Sequence, residues 1–302
     1  MRKNNRLRIT VGIPTCYGGQ SLVDTVKSLR ASSFKDDFEI AIEADRIPWT
    51  KNVKNSLKKM GVRSHWNNVE GSQCKKLKQI ISKMDSDIFV FTQDDIIFDT
   101  KTLNEIYWAF SNDSGLTMVG ARVLPLKPIT FFESVMGVML RAMDRIITTW
   151  NNGDNYLMAN GRCLAFKTSF LKKFRITDRL INTDAFMYLE NKYLGGKFRP
   201  LKQAKVYIRT PQSIKDQEGP SSRFQYSKEE MSEYFARDLT KEYKVPLNIL
   251  FMAALKEFAN NPVHFFAYVL VYIYTRLKKQ PKQKALKTLW KIDESTKTSI
   301  QV

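Results

Sequence analysis

The sequence predicts an α/β fold: a mostly parallel sheet flanked by helices, followed by a helical C-terminal extension. Three observations carry this expectation. Short β-branched and apolar runs alternate with segments whose apolar residues recur at helical spacing, the pattern of βαβ units. Several of these runs end on polar or acidic residues, and in such sheets ligands bind beyond the carboxyl ends of the strands. The chain has 302 residues, 43% of them hydrophobic, enough for one large domain and an appendage.

The elements follow in order. Arg8 to Ile13 is a β-branched run closed by Pro14, and Leu22, Val23, Val26 and Leu29 then recur at helical spacing. Phe38 to Ile42 reads as a second strand ending in Glu43-Ala44-Asp45. Cys74, Leu77, Ile80, Ile81 and Met84 share a helical face, and Asp87 to Thr92 is a buried strand ending in Gln93-Asp94-Asp95. Leu103, Ile106, Tyr107 and Phe110 form a helix, and Val119 to Val123 a strand. Phe131 to Trp150 is amphipathic, with Phe132, Val135, Met136, Met139, Leu140, Met143 and Ile147 opposite Arg141 and Arg145. A helix from Thr183 to Leu194 and a strand over Lys205–Ile208 follow, and Ser227 with Glu230 has capping-box spacing for a helix around Met231 to Leu239. Pro246 and Pro262 punctuate two further apolar helices, and the tail from Arg276 to Lys297 is lysine-rich.

Lys and Arg number 49 against 30 Asp and Glu, a net charge of +19. Such an excess favours a polyanionic surface: nucleic acid, an anionic membrane leaflet or phosphate-bearing substrates. The three cysteines (Cys16, Cys74, Cys163) are far apart and outside any CxxC spacing, which argues against a disulfide framework or zinc site and for a reducing compartment. The two histidines, His65 and His264, are isolated and give no material for a histidine-based metal site. The basic start, Met1 to Arg8, leads into a run too short for a signal-peptide core. Val263 to Tyr274 is the most apolar stretch and falls short of the roughly 20 residues that span a bilayer.

The sharpest chemical signal is TQDDIIFD, with Asp94 and Asp95 directly after an apolar strand. Adjacent carboxylates repel, and a divalent cation bridging to a diphosphate relieves that repulsion. A solvated acidic turn has the same appearance. Asp45 closes the second strand, where an acidic side chain accepts hydrogen bonds from a ribose or base; Pro14-Thr15 closes the first and offers backbone groups to a base. Asp184 sits before an apolar helical face, either as a favourable charge in a first turn or as a general base.

The order of these segments resembles the GT-A glycosyltransferases of family 2, over roughly residues 8 to 226. ITVGIPTCYGGQSLVDTVKSLRAS resembles their first strand, loop and helix, IAIEADR their nucleoside-contacting strand end, and EGSQCKKLKQIISKMDSDIFVFTQDDIIFD their helix-strand-DxD segment. NGRCLAFKTSFL resembles the strand and helix of the acceptor side, and NTDAFMYLENKYLGGKFRP the ED segment, with Thr183 in place of the usual glutamate. The resemblance implies a Rossmann-like, nucleotide-diphospho-sugar transferase fold with a mixed sheet over residues 1–226, and a basic helical region over residues 227–302. It makes Asp95 the ligand of a divalent metal, Mn²⁺ or Mg²⁺, and Asp184 the catalytic base. Pro14, Thr15, Asp45, Lys78, Asp94 and Arg223 become contacts to the nucleotide-sugar. Gln93 replaces the first aspartate of the motif; the spacing from Gln217 to Arg223 departs from the family's Q/RxxRW pattern, and Phe224 replaces its tryptophan.

The implied activity is metal-dependent, inverting transfer of a sugar from a UDP- or GDP-sugar to a glycan or lipid-linked acceptor hydroxyl. The amphipathic Phe131–Trp150 segment, the C-terminal helices and the basic tail point to an anionic membrane surface as a partner, with the protein cytoplasmic and peripheral at the inner face. Core packing is the other reading of those apolar faces. Two further classes stay open. One is a basic nucleic-acid-binding protein, for which no RNP, helix-turn-helix or zinc-finger pattern is present, so no nucleic acid is expected. The other is an inactive GT-A scaffold, suggested by Gln93.

Overall fold

The computed structural model describes residues 6–217, 226–277 and 300. In chain order the first half comprises β1 (Ile9–Thr15), α1 (Gln20–Arg30), β2 (Phe38–Ala44), α2 (Lys51–Lys59), β3 (Arg63–Trp66), α3 (Gln73–Lys83), β4 (Ile88–Thr92), β5 (Ile96–Phe98) and α4 (Thr102–Ser111). The second half comprises β6 (Leu116–Pro125), α5 (Phe131–Thr149), β7 (Cys163–Lys167), α6 (Thr168–Leu171), α7 (Thr183–Tyr193), β8 (Lys197–Ile208), α8 (Ser227–Phe235), α9 (Thr240–Tyr243), α10 (Leu247–Asn260) and α11 (Pro262–Leu277).

Eight strands form one sheet in the order β3-β2-β1-β4-β7-β6-β8-β5. β1 pairs in parallel with β2 and β4, β2 with β3, and β6 with β8. β7 runs antiparallel between β4 and β6, and β5 antiparallel to β8, so the sheet is mixed. Strand side chains alternate faces, and the central strands are buried on both. In β4, Ile88 and Val90 join the core under α1, α2 and α4, whereas Phe89 and Phe91 join the core under α3 and α7. This double burial is why IFVFT is apolar without interruption.

Ser227 and Glu230 do not form the expected capping box. Tyr226 stands at the cap of α8 with no side-chain bond to the helix. The Glu230 carboxylate instead accepts from the Ile181 N–H (2.7 Å), the Asn182 N–H (3.1 Å) and the Asn182 side chain (2.7 Å). A tertiary demand, three donors in the loop before α7, outweighs the local one. Met231 and Leu239 bury in the core beside α7. α10 and α11 lie against α5, where the Glu257 carboxylate, fully buried, pairs with Arg141 (2.9 Å) and Arg145 (3.0 Å). No helix among the described residues is long and apolar enough to cross a membrane.

Candidate active site

The parallel strands β1, β2 and β4 deliver their carboxyl ends to one edge of the sheet, and Pro14, Thr15, Asp45, Asp94 and Asp95 lie there. The Asp45 N–H donates to the Thr15 carbonyl (3.3 Å), tying two of these ends together. The Thr15 hydroxyl donates to the Asp94 carboxylate. It accepts from the N–H groups of Tyr17 (3.1 Å) and Gly18 (3.2 Å), so it is locked under the turn leading into α1. Gly18 holds that turn at φ 58°, a conformation that favours glycine, and a Cβ there would run into the Trp49 indole.

A cleft of about 520 Å³ opens along this edge, and Pro14, Thr15, Gln93, Asp94, Asp95 and Asp184 all line it. Asp184 is the second residue of α7, where the helix dipole favours a negative charge. Its carboxylate accepts from the Gly161 N–H (3.2 Å). Ile181 and Asn182, just before α7, are held by the three bonds to Glu230.

Asp45 stands at the expected strand end with its carboxylate turned inward, only 1% exposed. It accepts from the Lys76 ammonium (2.7 Å) and the Gly71 N–H (2.7 Å), and Arg46 lies 3.5 Å away. Arg46, Gln73 and Lys76 line the cleft at this corner, and Asp45 does not. Lys78 lies on the outer side of α3, half exposed and paired with Asp178 at 3.1 Å, and is not among the residues lining the cleft. Arg223 lies outside the described residues.

Sequence reasoning passed over Arg162. β7 is antiparallel to β4, so it begins where β4 ends, with Thr92 opposite Cys163. The residues just before β7 therefore join the same edge, and Arg162 sits in the field of both Asp95 and Asp184. Burial lowers its guanidinium below the ordinary value, and the two carboxylates pull it back up. Asn160 aims it, accepting from the Arg162 N–H (3.1 Å) and from its guanidinium (3.4 Å). The signal was an Asn-Gly-Arg triplet opening an apolar strand, legible only once that strand's direction is known. Tyr156, on the same wall, has its phenol pushed up to about 12 by burial, so it stays protonated.

Among the described residues no group of three or more His, Cys, Asp and Glu gathers to form a metal cage. The donors at hand are carboxylate oxygens, the hard ligands that Mg²⁺ and Mn²⁺ prefer, and a cation held by one or two carboxylates plus substrate phosphates is the ordinary arrangement for Mg²⁺. Asp95, facing the cleft beside Asp94, fits that role.

A mixed sheet with acidic strand ends along one cleft agrees with the GT-A glycosyltransferase fold, and superposition on solved structures shows that fold. The mannosyltransferase PcManGT from Pyrobaculum calidifontis, solved in complex with GDP-Man and Mn²⁺, superposes with a TM-score of 0.52 at 14% identity, covering 98% of this chain and 84% of its own. TarS from S. aureus superposes with a TM-score of 0.50 at 15% identity, covering 90% of this chain and 53% of its own, so the chain spans about half of that protein. No protein-family model matches the chain, and no curated protein matches it by sequence.

Proposed function

We propose that this chain transfers a sugar from a nucleoside-diphosphate donor to an acceptor oxygen in one displacement that inverts the anomeric centre. The observation that carries the reading is the meeting of Asp95, Arg162 and Asp184 around one cleft at the carboxyl ends of the strands. Thr15 and Arg46 form the end suited to the nucleotide, and the Arg46 guanidinium suits its phosphates. Asp95 would hold the divalent cation, which when bound supplies charge neutralisation to the departing nucleoside diphosphate. The structurally related mannosyltransferase holds GDP-Man and Mn²⁺, in keeping with such a donor.

Asp184 accepts the acceptor's proton as the acceptor oxygen bonds to the anomeric carbon and the bond from that carbon to the diphosphate breaks. The Gly161 N–H holds the carboxylate in place for that step, and Arg162, in the field of Asp95 and Asp184, offsets the negative charge that passes to the departing diphosphate. Donor hydrolysis by the purified protein with Mn²⁺, against UDP-, GDP- and dTDP-sugars, tests the assignment. Asp184→Asn should keep donor binding and lower turnover about 10²–10⁴-fold. Near-normal turnover would end the assignment, since Asn also serves a purely structural first-turn role.

A second reading concerns location. The region 227–302 is proposed as a membrane-seating extension on an anionic, cytoplasmic leaflet. Leu247, Phe251, Leu255 and Phe258 form one outward stripe on α10, and Val263, Phe266, Leu270, Ile273 and Leu277 another on α11, all exposed. Such stripes, in a chain whose sequence goes on to a lysine-rich tail, suit a helix pair lying in a headgroup layer.

A further inference from the structure

The cleft has a half that the transfer chemistry does not use. The cleft is also lined by two helix stripes, Met136, Met139, Met143 and Ile147 from α5 and Tyr268 and Val271 from α11; the polar side chains among them, Asp144, Arg209 and Thr275, are bonded within the protein to Arg122, Glu133 and the Tyr272 carbonyl. Spacings of three and four put each set on one helical face. Met139, Met143, Ile147 and Val271 are only half-buried, so each has surface turned to the open space. The Glu257 pairs with Arg141 and Arg145 pin α10, and with it α11, against α5, so the two stripes hold a fixed spacing.

The chemistry of these walls selects among acceptors. A glycan carries hydroxyls on every ring, and thioethers and alkyl groups leave them desolvated without partners. A hydrocarbon chain loses nothing there, and methionine side chains adapt to its shape. Outside the trough, Phe251 and Leu255 on α10 and Phe266 and Leu270 on α11 are exposed, so α11 carries apolar residues on its outer side as well as on the trough side. Arg276 lines the cleft beside Tyr272, its guanidinium 5.1 Å from the ring centroid, a cation placed to meet an anionic leaflet.

We infer that the trough between α5 and α11 holds the apolar tail of an amphiphilic acceptor, an alkyl or polyprenyl chain whose terminal oxygen is presented to Asp184. The inference rests on the transfer reading above, whose cleft it shares. The test uses the full chain and monoalkyl phosphates of four to ten carbons, below their micellar concentrations, by calorimetry. UDP and GDP binding with Mn²⁺ is measured on the same preparations.

Affinity should rise about three- to fourfold per methylene and level off when the trough is full. Met143→Asp and Val271→Asp, on opposite walls, should each flatten that slope and leave nucleotide binding within about twofold; where one fails to fold, the other is read. Nucleotide binding by the wild type with no dependence on chain length would overturn the trough and leave the transfer reading standing. So would a slope that survives in the folded variants. A slope in a wild type that binds neither UDP nor GDP would make the trough a lipid site and overturn its acceptor role along with the transfer reading.

Discussion

The Lys76–Asp45 pair gives the sharpest stability forecast. The two side chains are 5% and 1% exposed and meet at 2.7 Å, and the Lys76 ammonium also donates to the Gly71 carbonyl at 3.0 Å. Removing one member of a buried pair strands the other charge, at a cost of about 3–5 kcal/mol, whereas removing both charges at similar volume is close to neutral. Lys76→Met leaves Asp45 with the Gly71 N–H and the more distant Arg46, so its cost should fall in the lower part of that range, about 3 kcal/mol. In Asp45→Asn the amide oxygen can still accept from the Gly71 N–H, but the ammonium loses its counter-charge. The double variant leaves neither charge unpaired and should be at least about 3 kcal/mol more stable than the sum of the singles implies. Urea unfolding of all four proteins gives the coupling, with an unchanged slope showing that the denatured state is the same. Costs that add to within about 0.5 kcal/mol would refute the claim that the two residues act as one unit.

Two other outcomes follow from the same structure. Cys16 lines the cleft, whereas burial pushes the Cys74 thiol up to about 11 and Cys163 up to about 12. A maleimide should therefore modify Cys16 first at neutral pH, and UDP or GDP with Mn²⁺ should slow it; equal labelling of all three by mass spectrometry would contradict this. Phe251 and Phe266 are 66% and 59% exposed, so Phe251→Glu/Phe266→Glu should fold normally and sediment with anionic liposomes roughly tenfold less well, each ring losing part of the about 1.5–3 kcal/mol of a full burial. Unchanged sedimentation would remove these stripes from the membrane proposal.

Much of the fold was legible in the sequence because its central strands are buried on both faces and its helices carry clear stripes. The run IFVFT and the α5 stripe needed only periodicity. β3 was missed because RSHW is an exposed edge strand with no apolar face to show. α2, with only Val53 and Leu57 buried, gave two apolar positions in nine residues. In the site, the placing of the strand-end carboxylates at one edge could be read from position, but not the inward turn of Asp45 onto Lys76. Arg162 could not, because it reaches the edge through an antiparallel strand inserted between β4 and β6, a feature of topology rather than local pattern. Lys76 was masked for a related reason: a lysine on an amphipathic helix reads as solvated until the neighbouring strand end supplies Asp45. Glu230 matched a local capping pattern and serves instead a loop 48 residues away.

The central claim is that Asp95 and its neighbours bind the diphosphate of a nucleotide-sugar through a divalent cation. Titration of UDP and GDP into wild type and Asp95→Ala, each with Mn²⁺ and with EDTA, tests it most directly. At least one nucleotide should bind the wild type, tightly with Mn²⁺ and weakly with EDTA, and in Asp95→Ala the Mn²⁺ enhancement should vanish while the protein stays folded. An Mn²⁺-dependent affinity that is the same in both proteins, or a wild type that binds neither nucleotide, would contradict the account.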